Sequence, residues 1–380
     1  MRHTLAPAAA LALIVLCGCA TRPSQQNTPS GQTIEYAKYF SISSPDSTIK
    51  TITVTDLWSG KERRENYTLV PKELYHKYKS DPHAIPYPVE CCICMSTSHV
   101  AFLSSLSQTE KIKGISGTRF VYNPDVRALI ERGEIKDVGS ENLLNFELAM
   151  SLRPDLIFAY GISGTDNSYI EKLRELGMKV IVVADYLENH PLGRMEYIKL
   201  FGELTGKRAV ADSIFNHAKR EYLALKEEMH EKLRGHAATK ILINSPFNGI
   251  WYIPGGENYM SLLIKDAGGH ILGSREGETE SDRISLEKAY MYALKADIWL
   301  NPGEYTLKEL SELYPLFSKI PALERGLVYN NGKRHTLAGG SDFWESGVVE
   351  PHIVLRDLSI ILHPELYDTN DSLKYHYRLL

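Results

Sequence analysis

The sequence predicts an α/β protein: two doubly wound lobes joined by one long interdomain helix, with an N-terminal β-hairpin appendage. Three observations carry this. Short apolar strands alternate with amphipathic helices between residues 91 and 184, and the alternation restarts between 240 and 363. Such alternation builds parallel sheets covered by helices. Residues 191–229 lie between the two stretches and abandon the rhythm for sustained helical periodicity. A chain of 380 residues also exceeds what one small core needs and suits two domains.

The chain opens on Met1-Arg2-His3, an apolar run, and Leu16-Cys17-Gly18-Cys19. A cationic head, an apolar core of about a dozen residues and small residues before a cysteine form a signal peptide over 1–18. The run is too short to span a bilayer as a helix. Its Leu-x-Gly-Cys ending resembles a bacterial lipobox, which implies cleavage before Cys19, lipidation of its thiol and a membrane held through acyl chains. The mature chain is then periplasmic, and Ala20-Thr21-Arg22 leaves inner and outer membrane both open.

Residues 19–36 are polar and turn-rich and form a lipidated, flexible tether. In the β-rich extension over 37–89, TITVT (51–55) and NYTLV (66–70) flank Ser59-Gly60-Lys61 as a hairpin. Residues 71–89, rich in Pro, Tyr and His, read as a connecting loop. The N-terminal lobe spans 90–190. Strand Cys91–Met95 leads through Ser96-Thr97-Ser98, hydroxyls that suit a helix N-cap, into an apolar helix. Strand Ile112–Ser116, helices over Pro124–Arg132 and Leu144–Leu152, strand Asp155–Tyr160, helix Ser168–Gly177 and strand Lys179–Ala184 follow.

Over 191–230, Leu192, Met195, Ile198, Phe201 and Leu204 step by threes, and Ala211, Ile214, Ala218, Tyr222, Leu225 and Met229 continue at three and four. This reads as one amphipathic helix, with Gly206 its weak point. The C-terminal lobe, 231–380, holds strand Lys240–Asn244, helix Met260–Asp266, helix Ser285–Leu294 and strand Asp297–Leu300. Helix Leu307–Tyr314, strand Gly326–Asn330 and helix Gly347–His363 complete it.

Composition narrows the function. The formal net charge is −4, or −5 once Arg2 leaves with the signal, and no basic stripe appears, which argues against nucleic acid. Beyond Cys19, only Cys91, Cys92 and Cys94 remain. Three thiols within four residues do not make a disulfide framework and read as buried apolar side chains. There are 22 Tyr against 10 Phe, a balance that suits a wet binding surface. No G-x-S-x-G, HExxH or Cys–His signature is present, so no enzyme activity and no cofactor are expected.

Several stretches, in this order and spacing, resemble the metal-chelate class of ABC-importer substrate-binding proteins, whose ligands are ferric siderophores, cobalamin or haem. Leu152-Arg153-Pro154-Asp155-Leu156-Ile157, with Val138-Gly139 upstream, resembles the family's L-x-P-D-L-I strand lead-in. Leu262–Gly269 (LLIKDAGG) resembles the second-lobe helix ending in Ala-Gly-Gly, and Leu294-Lys295-Ala296-Asp297-Ile298-Trp299 its L-x-A-D echo. Residues 340–347 (GSDFWESG) resemble a stretch of lipoprotein members from Bacteroidetes-like bacteria, and the likeness covers about residues 90–366. It implies a fold like that of class III periplasmic binding proteins and little closure on binding. It also implies a monomer that captures an iron complex of siderophore type between its lobes and delivers it to an ABC permease. Cobalamin or haem are alternative ligands, and a metal chelatase or a surface haem-capture lipoprotein are alternative functions.

In open α/β sheets the cleft lies beyond the carboxyl ends of the strands. In the first lobe that selects Ser96, Thr97 and Ser98, equally suited to helix capping, then Arg119, a partner for carboxylates, with Tyr122 and Tyr160. In the second lobe it selects Phe247, Trp251, Tyr252 and Tyr259, a set that suits either a flat ligand or a hairpin packing its own rings. Asn301, Glu304 and Tyr305 follow another strand. Arg334, Asp342 and Trp344 form the last wall, with Asp342–Trp344 also readable as a structural latch. His99 and His335 are the histidines at cleft positions, and direct metal ligation is not expected. The resemblance further implies permease docking through one acid on each lobe: Asp166 or Glu171 on the first, and Asp266, beside Lys265, on the second.

Overall fold

Strands buried on both faces read as unbroken apolar runs, and such runs form the centre of each lobe. The computed structural model describes residues 34–44, 49–56, 63–140, 143–161, 168–368 and 371–380. The signal peptide, Cys19, the turn Ser59-Gly60-Lys61 and Asp166 therefore lie outside the described residues.

The extension is more than a hairpin. Strands β1 (Phe40–Ser43), β2 (Lys50–Asp56), β3 (Arg63–Pro71) and β4 (Ala84–Tyr87) form one sheet in that order. The β2–β3 hairpin pairs Lys50 with Leu69 through to Asp56 with Arg63. The expected loop over 71–89 instead contributes β4, parallel to β3.

The first lobe comprises β5 (Cys92–Cys94), α1 (Thr97–Ser105), β6 (Ile112–Ile115), α2 (Pro124–Glu131), β7 (Lys136–Asp137), α3 (Phe146–Ser151), β8 (Leu156–Ala159), α4 (Ser168–Glu175) and β9 (Val180–Val182). Its sheet runs β7-β6-β5-β8-β9, all parallel. Cys92 and Cys94 are fully buried in it as free thiols. His99 is also buried, against Phe158 and Phe201. Burial pushes its pKa down to about 4, so the ring is neutral core.

The long interdomain helix is corrected to a helical hairpin, α5 (Pro191–Thr205) and α6 (Arg208–Lys232). Gly206 adopts φ +72, a left-handed cap that ends α5 and turns the chain back. A Cβ on Gly202 would stand 2.5 Å from that of Ala211, and Lys199 lies 4.2 Å over the Phe215 ring, contacts of antiparallel helices. The periodicity runs through the break because both helices bury the same kind of stripe. Only α6, about 37 Å long, leads into the second lobe.

Helix α5 is buried nearly all round, unlike the amphipathic helix the spacing predicts. The extension covers its polar face. Glu196 accepts the N–H groups of Glu35, Tyr36 and Ala37 at 2.7–3.1 Å, and Glu188 those of Lys38 and Tyr39. Lys199 pairs with Glu196 at 2.6 Å, and Lys50 with Glu203. Buried charges persist only when paired in this way.

The second lobe comprises β10 (Thr239–Ile243), β11 (Trp251–Ile253), α7 (Tyr259–Asp266), β12 (Gly269–Ile271), β13 (Asp282–Ile284), α8 (Leu286–Ala293), β14 (Ile298–Leu300), α9 (Leu307–Leu313), α10 (Pro321–Glu324), β15 (Val328–Asn330), α11 (Pro351–Leu362) and β16 (Tyr377–Arg378). Its main sheet runs β12-β10-β14-β15-β16, parallel except for β16. Strands β11 and β13 form a separate antiparallel pair. Among the described residues no helix is long and apolar enough to cross a membrane.

Candidate functional site: a cleft divided by one loop

Four of the five parallel strands of the first lobe, β5 to β8, end at a cavity of about 570 Å³. Met95, Ser96 and Thr97 follow β5, Ser116, Gly117 and Arg119 follow β6, Gly139 and Ser140 follow β7, and Tyr160 follows β8. Ser96 caps α1, its Oγ accepting the Ser98 N–H at 3.3 Å, so Ser98 is drawn inward and buried rather than exposed to a ligand. Arg119 is exposed, its guanidinium 4.5 Å from the centre of the Phe120 ring. Asp137 organises these loops: its carboxylate accepts the N–H groups of Gly117, Thr118 and Gly139 and the Thr118 hydroxyl. Burial alone would raise its pKa, but these donors hold the carboxyl below its usual range.

A second cavity, about 440 Å³, lies at the strand ends of the other lobe. Asn244, Asn301, Asn330, Asn331 and Glu304 line it, with Asn258 at the start of α7. Residues 339–344 separate the two cavities: Gly339 and Gly340 face the first, Ser341 and Trp344 the second.

That loop is a seam between the lobes. Gly340 lies so close to the first lobe that a Cβ would stand 2.0 Å from the Phe120 carbonyl oxygen. Glu345, 1% exposed, accepts the N–H groups of Tyr122 and Asn123 at 2.8 and 2.9 Å. Burial raises its carboxyl to about 7, although these N–H groups favour the charged form. Arg334 donates to buried Asp342 at 2.6 Å and lies 4.8 Å over the Tyr122 ring. Beside the seam, Arg194 of α5 pairs with Asp185 and faces the rings of Tyr259 and Trp344 at 5.4 and 5.5 Å.

This geometry sorts the sequence candidates. Ser96, Thr97, Arg119, Tyr160 and Trp344 line the cavities. Trp251 does not: it is fully buried, stacked 5.4 Å from Phe317 and donating from Nε1 to the Ile243 carbonyl. Tyr252 faces Arg283 on the β11–β13 pair, and Phe247, 68% exposed, stands on a tight turn; neither lines either of these two cavities. Tyr259 is buried beneath Trp344. Tyr122, Arg334 and Asp342 belong to the seam, and His335 donates from Nδ1 to the Gly332 carbonyl at 2.6 Å.

Of the docking acids, Glu171 is exposed on α4 and pairs with Arg174 at 3.1 Å. Asp266 is nearly buried, accepting the Tyr222 hydroxyl at 2.7 Å and pairing with Lys226 at 3.0 Å. It stands at the far end of α7 from Asn258, against a third hollow of about 680 Å³, and does not present a free acid at the cleft.

Sequence reasoning missed Ser116, Gly117, Asp137 and Ser140 in one cavity and Asn244, Asn330 and Asn331 in the other. It also passed over Glu345 as a joint. A usable signal existed for the asparagines, since each stands at the end of an apolar strand.

Comparison with known proteins agrees with this architecture. The model of the periplasmic binding protein family matches residues 93–334. An uncharacterized lipoprotein of Methanocaldococcus jannaschii is 27% identical over 322 residues, 81% of this chain and 74% of the relative. A periplasmic haem-binding protein of Pseudomonas aeruginosa superposes with TM-score 0.58 at 15% identity, covering 77% of this chain and 98% of that one. The triscatecholate siderophore-binding protein FeuA of Bacillus subtilis, solved with ferri-bacillibactin, gives 0.54 at 18% identity, covering 74% and 94%. With a family match over more than half its length and two parallel-sheet lobes facing one cleft, the chain belongs to the periplasmic binding protein family.

Proposed function

We propose that this protein is the substrate-binding lipoprotein of an ABC importer, capturing an iron complex of siderophore type in the inter-lobe cleft and passing it to the permease. The observation that carries the reading is the cleft itself: two cavities, one on each lobe, lined by hydroxyls, amides, Arg119 and Tyr160. Such a lining suits the organic shell of a complex. Among the described residues, no group of three His, Cys, Asp or Glu is placed to hold a bare ion. The FeuA and haem-protein likenesses support a chelated metal as cargo. Lipidation at Cys19 would hold the protein to a membrane, in keeping with its lipoprotein relative. Glu171 or Asp166 serves as the docking acid of the first lobe, while Asp266 of the second is engaged by Tyr222 and Lys226.

The test is the absorbance spectrum of protein purified from its native host, followed by calorimetry with a ferric siderophore and with ferric salt. A coloured cargo that rebinds intact is expected. Tight binding of the bare ion, with no uptake of any complex, would refute the proposal.

A further inference from the structure

Three neighbouring strands of the second lobe end in asparagine. Asn244 follows β10, Asn301 follows β14 and Asn330 closes β15, and these strands are adjacent in the sheet. The amides thus stand in a row along the second cavity. Backbone demand accounts for part of this, because Asn244 and Asn301 adopt φ +66 and +54, where asparagine is tolerated better than most residues. Asn244 also has structural work, its Nδ2 donating to the Tyr252 carbonyl at 3.1 Å. Asn301 and Asn330 are different. The Asn301 Oδ1 is buried with no hydrogen-bond partner among the described residues. Asn330 ends an ordinary strand, and Gly332 leaves open the space beside it: a Cβ there would stand 3.3 Å from Asn330 Nδ2 and 3.1 Å from Glu304 Oε1.

Charge points the same way. Among the described residues lining the two cavities, the ionisable acids and bases are Arg119, Asp137 and Glu304. Asp137 keeps its charge while accepting backbone N–H groups, so the first cavity carries one cation and one anion and the second a single anion. Among the described lining residues, Arg119 is then the one cation available to offset negative charge on a ligand. An amide offers donors and an acceptor together, so it matches carboxamide, peptide and hydroxyl groups.

Taking the cleft as a chelate site, we infer that Asn301 and Asn330 form a selectivity subsite for the uncharged periphery of the ligand. The cargo is a complex of net charge near zero carrying carboxamide or hydroxyl groups, and Glu304 turns away polyanionic complexes.

Calorimetry with ferrioxamine B and cyanocobalamin, both rich in amides, against trianionic ferri-bacillibactin and dicarboxylate haemin tests this. The wild type is expected to bind at least one amide-rich probe ten-fold or more tighter than either anionic complex. Asn301→Gly, which keeps the left-handed backbone, and Asn330→Ala should each weaken that probe about five-fold, with the melting temperature recorded beside each affinity. Glu304→Gln changes an exposed side chain, leaves the fold alone, and should improve ferri-bacillibactin binding several-fold. Preference of the wild type for an anionic complex would overturn the inference. So would unchanged affinity for the amide-rich probe in a folded Asn301→Gly/Asn330→Ala double variant, while the chelate reading would stand. Failure of all four probes to bind would overturn both.

Discussion

Replacing Glu345 by glutamine isolates the energetics of the seam between the lobes. The wild-type carboxyl is 1% exposed and its pKa is raised to about 7 by burial, against an ordinary value near 4.5. Below 4.5 the group is protonated in both folded and unfolded chains. As pH rises, the unfolded carboxyl ionises freely while the folded one keeps its proton to about 7. The native state then binds more protons, and stability falls across that window by about 3 kcal/mol. Glutamine matches the protonated acid in shape and has no such slope. It does set an NH2 against the Tyr122 or Asn123 N–H, a cost that is the same at every pH and cancels when two pH values are compared. Glu188, raised to about 7 by burial, slopes the same way in both proteins and cancels as well. Thermal unfolding at pH 4.5 and pH 8 is the assay. The Glu345→Gln variant should gain about 3 kcal/mol relative to wild type between those values, a relative shift of several degrees. A variant that loses ground as pH rises would refute the reasoning, because the charged carboxylate would then be a net stabiliser of the seam.

Three further outcomes follow from the same geometry. Cys19→Ala should move the protein from the membrane fraction to the soluble fraction, and full retention on fractionation would contradict lipidation. Gly340→Ala places a Cβ 2.0 Å from the Phe120 carbonyl oxygen, so the loop must lift; a cost of about 1–3 kcal/mol and a larger radius of gyration by X-ray scattering are expected. Trp251→Ala and Tyr160→Ala should separate cleanly. The first empties a core position and lowers stability by about 3–5 kcal/mol, whereas the second removes a ring half-buried against Tyr186, lowers stability less and weakens binding of the cognate complex about ten-fold; equal effects on melting would show Tyr160 to be structural.

Much of the fold was legible along the chain. Repeating strands such as Leu156–Ala159 and Ile298–Leu300 are wholly apolar because a parallel sheet is buried on both faces, and that signal is local. Ser96, Arg119 and Tyr160 could be placed at the cleft because strand ends in such sheets point there, whatever the rest of the molecule does. The same rule also selected Trp251 and Tyr252, and there it failed. Spacing cannot distinguish a strand that turns into the cleft from one that pairs with Asp282–Ile284 and stacks its tryptophan under the sheet.

The sequence alone therefore determined two α/β lobes, the alternation of their elements and which loops border the cleft, since each of these depends on periodicity within a dozen residues. Tertiary structure decided the rest. Gly206 breaks the connecting helix because α5 and α6 pack back to back, and the buried acids Glu188 and Glu196 are explained only by N–H groups about 150 residues away along the chain. Glu345 joins two lobes through the Tyr122 N–H, 223 residues distant. Asn244, Asn301 and Asn330 become a row only when β10, β14 and β15 lie side by side. Such contacts bring together residues with no shared period, so no pattern along the chain records them.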